Sequence, residues 1–235
     1  MPEGTVIVTG ASRGIGAAVA TRLAEAGYRV ACLSRSGDAP AGTGYACDVA
    51  DEAALSETIA AIGEAGPVVG LVNNAGRHEQ HPSSALTAAD FEALMRMNAT
   101  SMLVASREAY PFLKAAGGGL IVTIGSFFDK LGVAENAAYC ASKAAVAAIG
   151  RCLAVEWARD GIRVVTVAPG YVETDLNRDF LADERTRRWM ERRVPVGRPG
   201  TADEVARLVA ALFAADVGYL TGETIYLDGG MGMNH

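Results

Sequence analysis

The fold is decided by the segment Thr9-Gly10-Ala11-Ser12-Arg13-Gly14-Ile15-Gly16, which joins the β-branched run at 5–9 to an alanine-rich, amphipathic stretch at 17–26. Its glycines therefore stand at a strand-to-helix turn. Glycine permits a tight turn and close backbone approach, while the free amides and positive end of a helix attract a pyrophosphate. The segment predicts a dinucleotide site, although a glycine-rich turn by itself is often only a turn.

Short β-branched runs alternate with long stretches rich in Ala and Leu along the rest of the chain. This alternation predicts a parallel sheet covered by helices on both faces, because parallel neighbours need crossover connections. The expected architecture is α/β: a doubly wound parallel sheet in a single domain, 1–235. The predicted strands are 5–9, 29–33, 44–47, 69–73, 120–124, 163–168 and 223–227.

Two connections depart from the alternation. The connection between the second and third strands contains Gly and Pro and is too short for a crossover helix, so a loop or single turn is expected. We expect a substrate lid at about 172–195, although a solvated helix with one packed face fits this stretch equally well. It is rich in arginine and carries Phe180, Leu181, Trp189 and Met190.

The composition describes a globular protein of 235 residues, 50% hydrophobic and 20% charged. The net charge of −6 comes without a basic tract, which gives no support for nucleic-acid binding through phosphate neutralisation. No apolar run approaches the roughly 20 residues of a membrane span, and residues 1–9 lack a signal-peptide pattern. We expect a cytoplasmic protein that acts on small molecules, not on nucleic acid or membranes.

The cysteines form no C-x-x-C pair and have no histidine at metal-ligand spacing. This pattern predicts four buried thiols and no metal site. One of them adjoins a candidate catalytic tyrosine, but packing is its expected role. The four are Cys32, Cys47, Cys140 and Cys152.

Further motifs accompany the glycine turn along nearly the whole chain: Asp48-Val49, Asn73-Asn74-Ala75-Gly76, Asn98, Ser126, Tyr139-Cys140-Ala141-Ser142-Lys143, and Pro169-Gly170 followed by Thr174. The glycines of the turn are spaced G-x-x-x-G-x-G, whereas many other dehydrogenases have G-x-G-x-x-G. With this spacing and these motifs, the chain resembles the short-chain dehydrogenase/reductase family. The resemblance implies a Rossmann-type fold, a nicotinamide dinucleotide cofactor and an oxidoreductase acting on CH-OH groups.

The candidate proton-transfer group is Tyr139, because Lys143 stands four residues later in a helical segment and shares its face. A free tyrosine has a pKa of about 10, and an adjacent ammonium with a positive nicotinamide would favour its phenolate. Ser126 ends a predicted strand, where parallel sheets place their ligand crevice, and can hold the substrate oxygen. His78 and His81 are expected to be loop residues, not bases.

The resemblance assigns the remaining roles. Lys143 grips the nicotinamide ribose, and Asn98 holds a water that links this lysine to solvent. Taken singly, the catalytic candidates Asn98, Ser126, Tyr139 and Lys143 have ordinary structural explanations, and only their combination favours catalysis. The resemblance also implies that Asp48 and Val49 contact the adenine and that Val172 and Thr174 hold the carboxamide. The full set of expected cofactor contacts is Gly10, Ser12, Arg13, Gly14, Ile15, Gly16, Ser34, Arg35, Asp48, Val49, Asn74, Ala75, Gly76, Tyr139, Lys143, Pro169, Gly170, Val172 and Thr174.

The second predicted strand ends in Leu33-Ser34-Arg35, where an NAD enzyme would usually place an acidic residue for the ribose hydroxyls. Arg13 adds a second guanidinium. Both groups can form charge-assisted hydrogen bonds to a 2′-phosphate, which predicts NADP(H), although either arginine could be merely solvated.

The residues at 167–176 and 220–224 look like those of 3-oxoacyl reductases. The expected function is therefore reduction of a ketone to a secondary alcohol, with an acyl thioester among the candidate substrates. A dehydrogenase of small or cyclic secondary alcohols is the alternative, and a non-catalytic NADP sensor is a further one. By resemblance the chain should form a homotetramer through helices around 91–113 and 144–157 and through the C-terminal strand.

Reductases that act on acyl carrier protein usually present arginines at two places, which in this chain hold Gly117 and Asp160. An acidic carrier would dock less well here, so free substrates or coenzyme A thioesters are expected instead. Arg159 and Arg163 lie near the second place and could partly compensate.

Overall fold

Nine strands occur in the computed structural model, which describes residues 4–174, 183–215 and 217–233. They are β1 (Thr5–Thr9), β2 (Arg29–Ser34), β3 (Thr43–Ala46), β4 (Val68–Asn73), β5 (Gly119–Ile124), β6 (Ile162–Pro169), β7 (Val172–Glu173), β8 (Gly200–Thr201) and β9 (Thr224–Leu227). Seven form one parallel sheet in the order β3-β2-β1-β4-β5-β6-β9, and β7 pairs with β8.

Helices connect most of the strands: α1 (Gly14–Glu25), α2 (Glu52–Glu64), α3 (Ala88–Met95), α4 (Ser101–Ala115), α5 (Ala137–Trp157), α6 (Glu184–Arg193) and α7 (Ala202–Ala214). Several of them begin at a polar cap. Asp51 accepts a hydrogen bond from the backbone of Ala54 at the start of α2, and Thr201 forms a capping box with Glu204 at α7. A π-helical turn, Arg96–Thr100, joins α3 to α4.

The sheet buries apolar side chains on both faces, because successive residues of a strand point to opposite sides. Ile7 and Leu71 pack with α2 and α4 in one core cluster, whereas Val6 and Val8 pack with α1 and α7 in the other. The two layers hold the carboxyl ends of the strands in a fixed arrangement at one edge of the sheet.

The predicted fold is confirmed: the chain is a single, doubly wound α/β domain, and each predicted strand matches an observed one to within one residue at each end. The connection between β2 and β3 contains no helix, as expected. It passes very close to the sheet, since a Cβ on Gly42 would lie 2.2 Å from the Val30 carbonyl oxygen. The β7–β8 pair had no counterpart in the sequence prediction.

The prediction of four buried thiols is wrong for the two cysteines of α5. Cys32 and Cys47 are buried, but Cys140 is half-buried and Cys152 is exposed. Cys152 lies on the face of α5 that is turned away from the sheet, one helical turn before Val155, which is 82% exposed. Alanine-rich composition hid this second, solvent-facing side.

The stretch Ala137–Asp160 is long and apolar enough to cross a membrane by length and composition alone. Core helices pass the same test. Val146, Ala147 and Leu153 on this stretch are buried inside the protein, and α5 packs directly on β6. We therefore attribute its apolar character to the core.

Candidate active site

The carboxyl ends of β1, β2 and β4 open onto a cleft of about 390 Å³. In parallel α/β sheets, ligands bind at this edge. Most of the residues predicted to contact the cofactor line the cleft: Gly10, Ser12, Arg13, Gly14, Ile15, Ser34, Arg35, Asp48, Val49, Asn74, Ala75, Gly76 and Thr174.

A larger cavity, of about 440 Å³, lies at the opposite edge of the sheet, between the loops at 116–119 and 161–163. It is lined by five glycines and by other residues such as Tyr28 and Phe213, and by none of the predicted site residues. Size alone would favour this cavity, but the convergent polar groups lie at the other edge.

The glycine turn forms a cradle that larger residues would fill. A Cβ on Gly16 would lie 2.2 Å from the Gly10 carbonyl oxygen, and a Cβ on Gly10 would lie 2.9 Å from the Cα of Ala75. Gly10 and Gly14 have φ values of +65° and +57°. No described side chain caps α1, and its first turn carries no acidic residue, which leaves its first N–H groups for an anion. The cradle therefore fits the pyrophosphate of a dinucleotide.

Asn74 ties the glycine turn to the end of β4. Its Nδ2 donates to the carbonyl oxygens of Thr9 and Gly10 at 3.0 and 3.1 Å. The Thr9 hydroxyl accepts hydrogen bonds from the backbone N–H groups of Asn74 and Ala75, both at 3.0 Å. The Asn74 side chain thus holds the backbone of the glycine turn in place against the end of β4.

Two arginines border the far end of the cleft. Arg13 and Arg35 are exposed, and neither forms an ion pair with a described residue. Ser34 is buried at the end of β2, and Asp48 accepts a hydrogen bond from the backbone N–H of Ala50 at 3.0 Å. This end therefore offers two guanidinium groups to an anionic ligand.

Ser126 and Tyr139 lie beside the cleft, past the carboxyl end of β5, and are not among the residues that line it. Ser126 follows β5 and caps a short 3₁₀ turn, where its Oγ accepts from the Phe128 backbone N–H at 3.2 Å. Tyr139 lies in the first turn of α5. The Ser126 hydroxyl lies close enough to the Tyr139 phenol to lower its pKa, so the predicted pair is brought together.

Burial raises the pKa of Tyr139, and the nearby Ser126 hydroxyl lowers it by less. The Lys143 ammonium lies 5.8 Å from the centre of the Tyr139 ring and is not among the causes that act on the pKa of Tyr139. The lowering expected from Lys143 is therefore not found within this chain. A phenol with a raised pKa keeps its proton at neutral pH, as a general acid must.

Lys143 is 6% exposed, and its Nζ donates to the carbonyl oxygen of Ile124 at 2.8 Å. Burial lowers the pKa of this lysine to about 8, because the charged form loses its hydration. The ammonium thus titrates within reach of neutral pH.

Asn98 lies in the π-helical turn and is buried. Its Oδ1 accepts from the backbone N–H of Arg77 at 2.9 Å, and its Nδ2 donates to the Arg77 carbonyl oxygen and to Ser142 Oγ, both at 3.0 Å. A cavity about the size of one water lies between Asn98, Lys143 and Thr123. The Thr123 hydroxyl, which is buried, has no partner in the described chain.

The rings packed beside Tyr139 form a largely buried aromatic cluster, called here the aromatic wall. Phe127 and Phe128 lie against Tyr171, with ring centres 5.5 and 6.3 Å apart. Trp189 on α6 packs edge-on against Tyr171 at 5.6 Å, and Met190 is buried in the same cluster. The predicted lid stretch therefore includes a helix with one packed face. Phe180 and Leu181 lie outside the described residues.

Some predicted cofactor contacts lie away from the main cleft. Gly16 packs under the turn, Pro169 ends β6, Gly170 lies against Asp228, and Val172 lines a separate pocket beside Tyr171. Sequence reasoning missed other residues that line the cleft. Leu33 and Cys47 could have been found from their position at strand ends, but Arg77 and Met97 carry no such signal. These missed residues are Leu33, Cys47, Arg77 and Met97.

The fold and the site together define a class: a Rossmann-type oxidoreductase with a dinucleotide cradle and a serine, tyrosine and lysine beside it. No group of three or more His, Cys, Asp or Glu residues in the described part of the chain could hold a metal ion. The profile of a family described as "Enoyl-(Acyl carrier protein) reductase" matches residues 10–232. The chain belongs to this family of short-chain dehydrogenases/reductases.

Relatives within the family have different names. The chain is 38% identical over 233 residues to the 3-oxoacyl-[acyl-carrier-protein] reductase MabA of Mycobacterium bovis, covering 98% of this chain and 94% of MabA. A gluconate 5-dehydrogenase from Burkholderia cenocepacia, solved with NADP and tartrate, superposes with a TM-score of 0.91 at 31% identity, covering 100% and 97% of the two chains. The aldohexose dehydrogenase of Thermoplasma acidophilum gives a TM-score of 0.92 at 29% identity, with 99% and 95% covered.

Proposed function

We propose that this chain is an NADP(H)-dependent reductase that interconverts a ketone and a secondary alcohol. The observation that carries the proposal is the grouping of three residues beside a dinucleotide cradle: Ser126 acts on the pKa of the Tyr139 phenol, and the buried Lys143 lies 5.8 Å from the centre of the Tyr139 ring. A proton donor, a carbonyl-binding hydroxyl and a cofactor site are what carbonyl reduction needs in one place.

In the proposed reaction Ser126 donates a hydrogen bond to the carbonyl oxygen, and the Tyr139 hydroxyl gives that oxygen its proton. The bound dinucleotide supplies the hydride. The raised pKa of Tyr139 keeps the phenol protonated for this step. In the reverse direction the phenolate removes the proton from the alcohol, and the positive charge of the oxidised cofactor would favour that form.

Lys143 would hold the nicotinamide ribose and return a proton to Tyr139. Its Nζ already donates to the Ile124 carbonyl oxygen at 2.8 Å, which fixes its position at the end of β5. The cavity between Lys143 and Asn98 gives room for the water that the family resemblance implies. Proton transfer to solvent would then pass behind the substrate.

The cofactor is NADP(H). Arg13 and Arg35 both border the cleft where the adenosine ribose of a dinucleotide bound to the cradle would lie. Solved relatives include enzymes in complex with NADP. A 2′-phosphate between two guanidinium groups gains charge-assisted hydrogen bonds that NAD(H) does not offer.

For the substrate we propose a 3-oxoacyl thioester, which the similarity to MabA and the aromatic wall beyond Tyr139 support. Dehydrogenation of small or cyclic secondary alcohols is the alternative, supported by the similarity to sugar and gluconate dehydrogenases. A panel of 3-oxoacyl thioesters, cyclic ketones and keto-sugar acids, each assayed by NADPH consumption, distinguishes them. A preference of tenfold or more in kcat/KM for a keto-sugar acid would reject the thioester.

The carrier of the acyl group stays a prediction: coenzyme A or a free thiol in preference to acyl carrier protein. Gly117 offers no charge, and Asp160 is engaged by Lys114 at 3.0 Å and by the Tyr110 hydroxyl at 2.8 Å. This pairing neutralises Asp160 but provides no arginine for an acidic carrier. The test compares kcat/KM for one 3-oxoacyl group on the carrier protein, on coenzyme A and on a short thiol, at low and moderate salt. A large, salt-sensitive advantage of the carrier protein would contradict it.

A non-catalytic NADP sensor remains the second class of function. Such a protein needs the cradle but has no use for Ser126, Tyr139 and a buried Lys143. Dehydration of a lysine costs stability, so its burial here favours catalysis. Tight NADPH binding with no turnover of any carbonyl in the panel would favour the sensor.

We also propose assembly into a homotetramer in the cytoplasm. Large apolar side chains are exposed on the helices expected to form the interfaces: Phe91 on α3, Leu103 on α4 and Val155 on α5. Light scattering at micromolar concentration measures the assembly. A monomer would contradict the proposal, and a Val155→Glu variant should shift a tetramer towards smaller species.

A further inference from the structure

The loop after β4 turns back onto the start of α5. Its residue Arg77 is held through its backbone by Asn98, at 2.9 and 3.0 Å. Further along, the backbone N–H of His81 donates to the carbonyl oxygen of Glu135 at 2.8 Å. Among the described residues Glu135 is the one non-glycine residue with a positive φ, +63°. The loop is therefore anchored on both sides of His78.

His78 lies against the reacting tyrosine. Its ring centre is 4.7 Å from that of Tyr139, at an interplanar angle of 78°. Phe128 contacts Tyr139 at 5.9 Å and 82°. Edge-to-face contacts of this kind restrict the orientation of a ring. Tyr139 thus meets one ring from the β4 loop and one from the turn after β5.

Asn136 completes the arrangement just before α5. Its Nδ2 donates to the Ala134 carbonyl oxygen at 2.7 Å, so its Oδ1 is the atom that faces His78 Nε2 at 2.6 Å. His78 must therefore donate from Nε2. Asn136 is 1% exposed. Its backbone carbonyl oxygen accepts a hydrogen bond from the backbone N–H of Cys140 at 2.8 Å, which fixes Asn136 to the first turn of the helix that carries Tyr139.

We propose that His78 is a positioning residue for Tyr139: it fixes the angle of the phenol through the ring contact and through the hydrogen bond to Asn136. The inference rests on the proposed proton-transfer role of Tyr139. His78 has no part in binding NADPH in this proposal, so its loss should lower kcat and leave cofactor affinity unchanged.

Three variants separate the two contributions. His78→Phe keeps a ring without the donor, His78→Gln keeps a donor near the Nε2 position without the ring, and His78→Leu removes both. A net hydrogen bond and an aromatic contact are each equivalent to about fivefold in rate. We expect kcat to fall about fivefold in each of the first two variants and about 25-fold in His78→Leu. The KM of the carbonyl and the Kd of NADPH should stay within twofold of wild type.

His81→Leu is the matched control in the same loop. The His81 ring lies 3.9 Å from Glu79 and makes no ring contact with Tyr139, so kcat should change by less than twofold. Thermal melting of every variant checks folding. The inference is overturned if His78→Leu keeps kcat within twofold of wild type, or if its loss falls on KM alone, which would make His78 a substrate contact. If Tyr139→Phe retains wild-type kcat, the proposed function itself fails first.

Discussion

The cofactor cleft and the neighbouring substrate end of the site are built differently. At the cofactor end the shape comes from backbone: Gly10, Gly14 and Gly16 stand where a Cβ would collide or where φ is positive. At the substrate end the shape comes from large side chains on separate segments, such as Phe127 after β5 and Trp189 on α6. Backbone geometry requires particular residues in a fixed order, whereas an aromatic wall can be filled in many ways. Sequence motifs therefore indicate the class of reaction, but they do not indicate the substrate.

The largest effect is expected where the two ends meet. Tyr139→Phe should lower kcat about 1,000-fold, because it removes only the proton-transferring hydroxyl. NADPH affinity, measured by fluorescence titration, should stay within twofold of wild type, since the cradle lies at the other end. Tyr171→Phe is the matched control, a neighbouring hydroxyl in the aromatic wall, and should cost less than threefold. Wild-type kcat in Tyr139→Phe would remove Tyr139 from the mechanism.

This contrast explains which features were predictable from the sequence. The strand ends, the glycine turn and the four-residue spacing of Tyr139 and Lys143 follow from local geometry, so they were predicted to within a residue. The contact between His78 and Tyr139 joins segments about 60 residues apart and depends on the path of a loop. It was missed, and His78 was assigned to the loop alone. The π-helical turn that holds Asn98 likewise has no sequence signal.

Substitution of Lys143, which lies where the cofactor and substrate ends meet, tests whether burial of its charge lowers the stability of the protein. Its pKa is lowered to about 8 by burial, so the folded state disfavours the ammonium relative to the unfolded chain. The penalty is complete below pH 8 and fades between about pH 8 and 10.5, where the unfolded chain still binds the proton. Lys143→Met should lose activity yet raise the free energy of unfolding at pH 7 by about 1–3 kcal/mol.

Denaturant unfolding at pH 7 and pH 9.5 measures this gain, which should shrink at the higher pH. Lys114→Met is the control, because Lys114 is an exposed lysine paired with Asp160, and it should not stabilise the protein. A Lys143→Met variant that is less stable than wild type by the same amount at both pH values would contradict the role of charge burial.

The preference for NADPH over NADH tests the cofactor end, which is built mainly from backbone. Arg35 is one of the few side chains there that would determine this preference. Arg35→Ala should lower kcat/KM for NADPH about tenfold and change the value for NADH by less than twofold, because only the 2′-phosphate loses a partner. Arg29→Ala, at the opposite end of β2, is the control. An unchanged ratio of the two cofactors would show that Arg35 is merely solvated.

The smallest effect is expected from Trp189, at the end built from side chains. Its ring packs on Tyr171 at 5.6 Å and is 41% exposed, so it can cover an apolar substrate that lies along the wall. Trp189→Ala should raise KM about threefold for a short 3-oxoacyl thioester and up to about tenfold for a long one, because an added aromatic contact is worth roughly 0.5–1.5 kcal/mol. NADPH affinity should not change.

The chain has 2 tryptophans, and the other, Trp157, packs against Tyr110 at the far end of α5, with the two rings tilted by 35°. Trp157→Phe therefore leaves Trp189 as the single indole, whose fluorescence should respond to the substrate and not to NADPH alone. The Trp157→Phe variant is also the matched control for Trp189→Ala, and its KM for both thioesters should equal that of wild type. If Trp189→Ala affected short and long substrates equally, the wall would not read chain length, and the small or cyclic alcohols would become the better substrates to pursue.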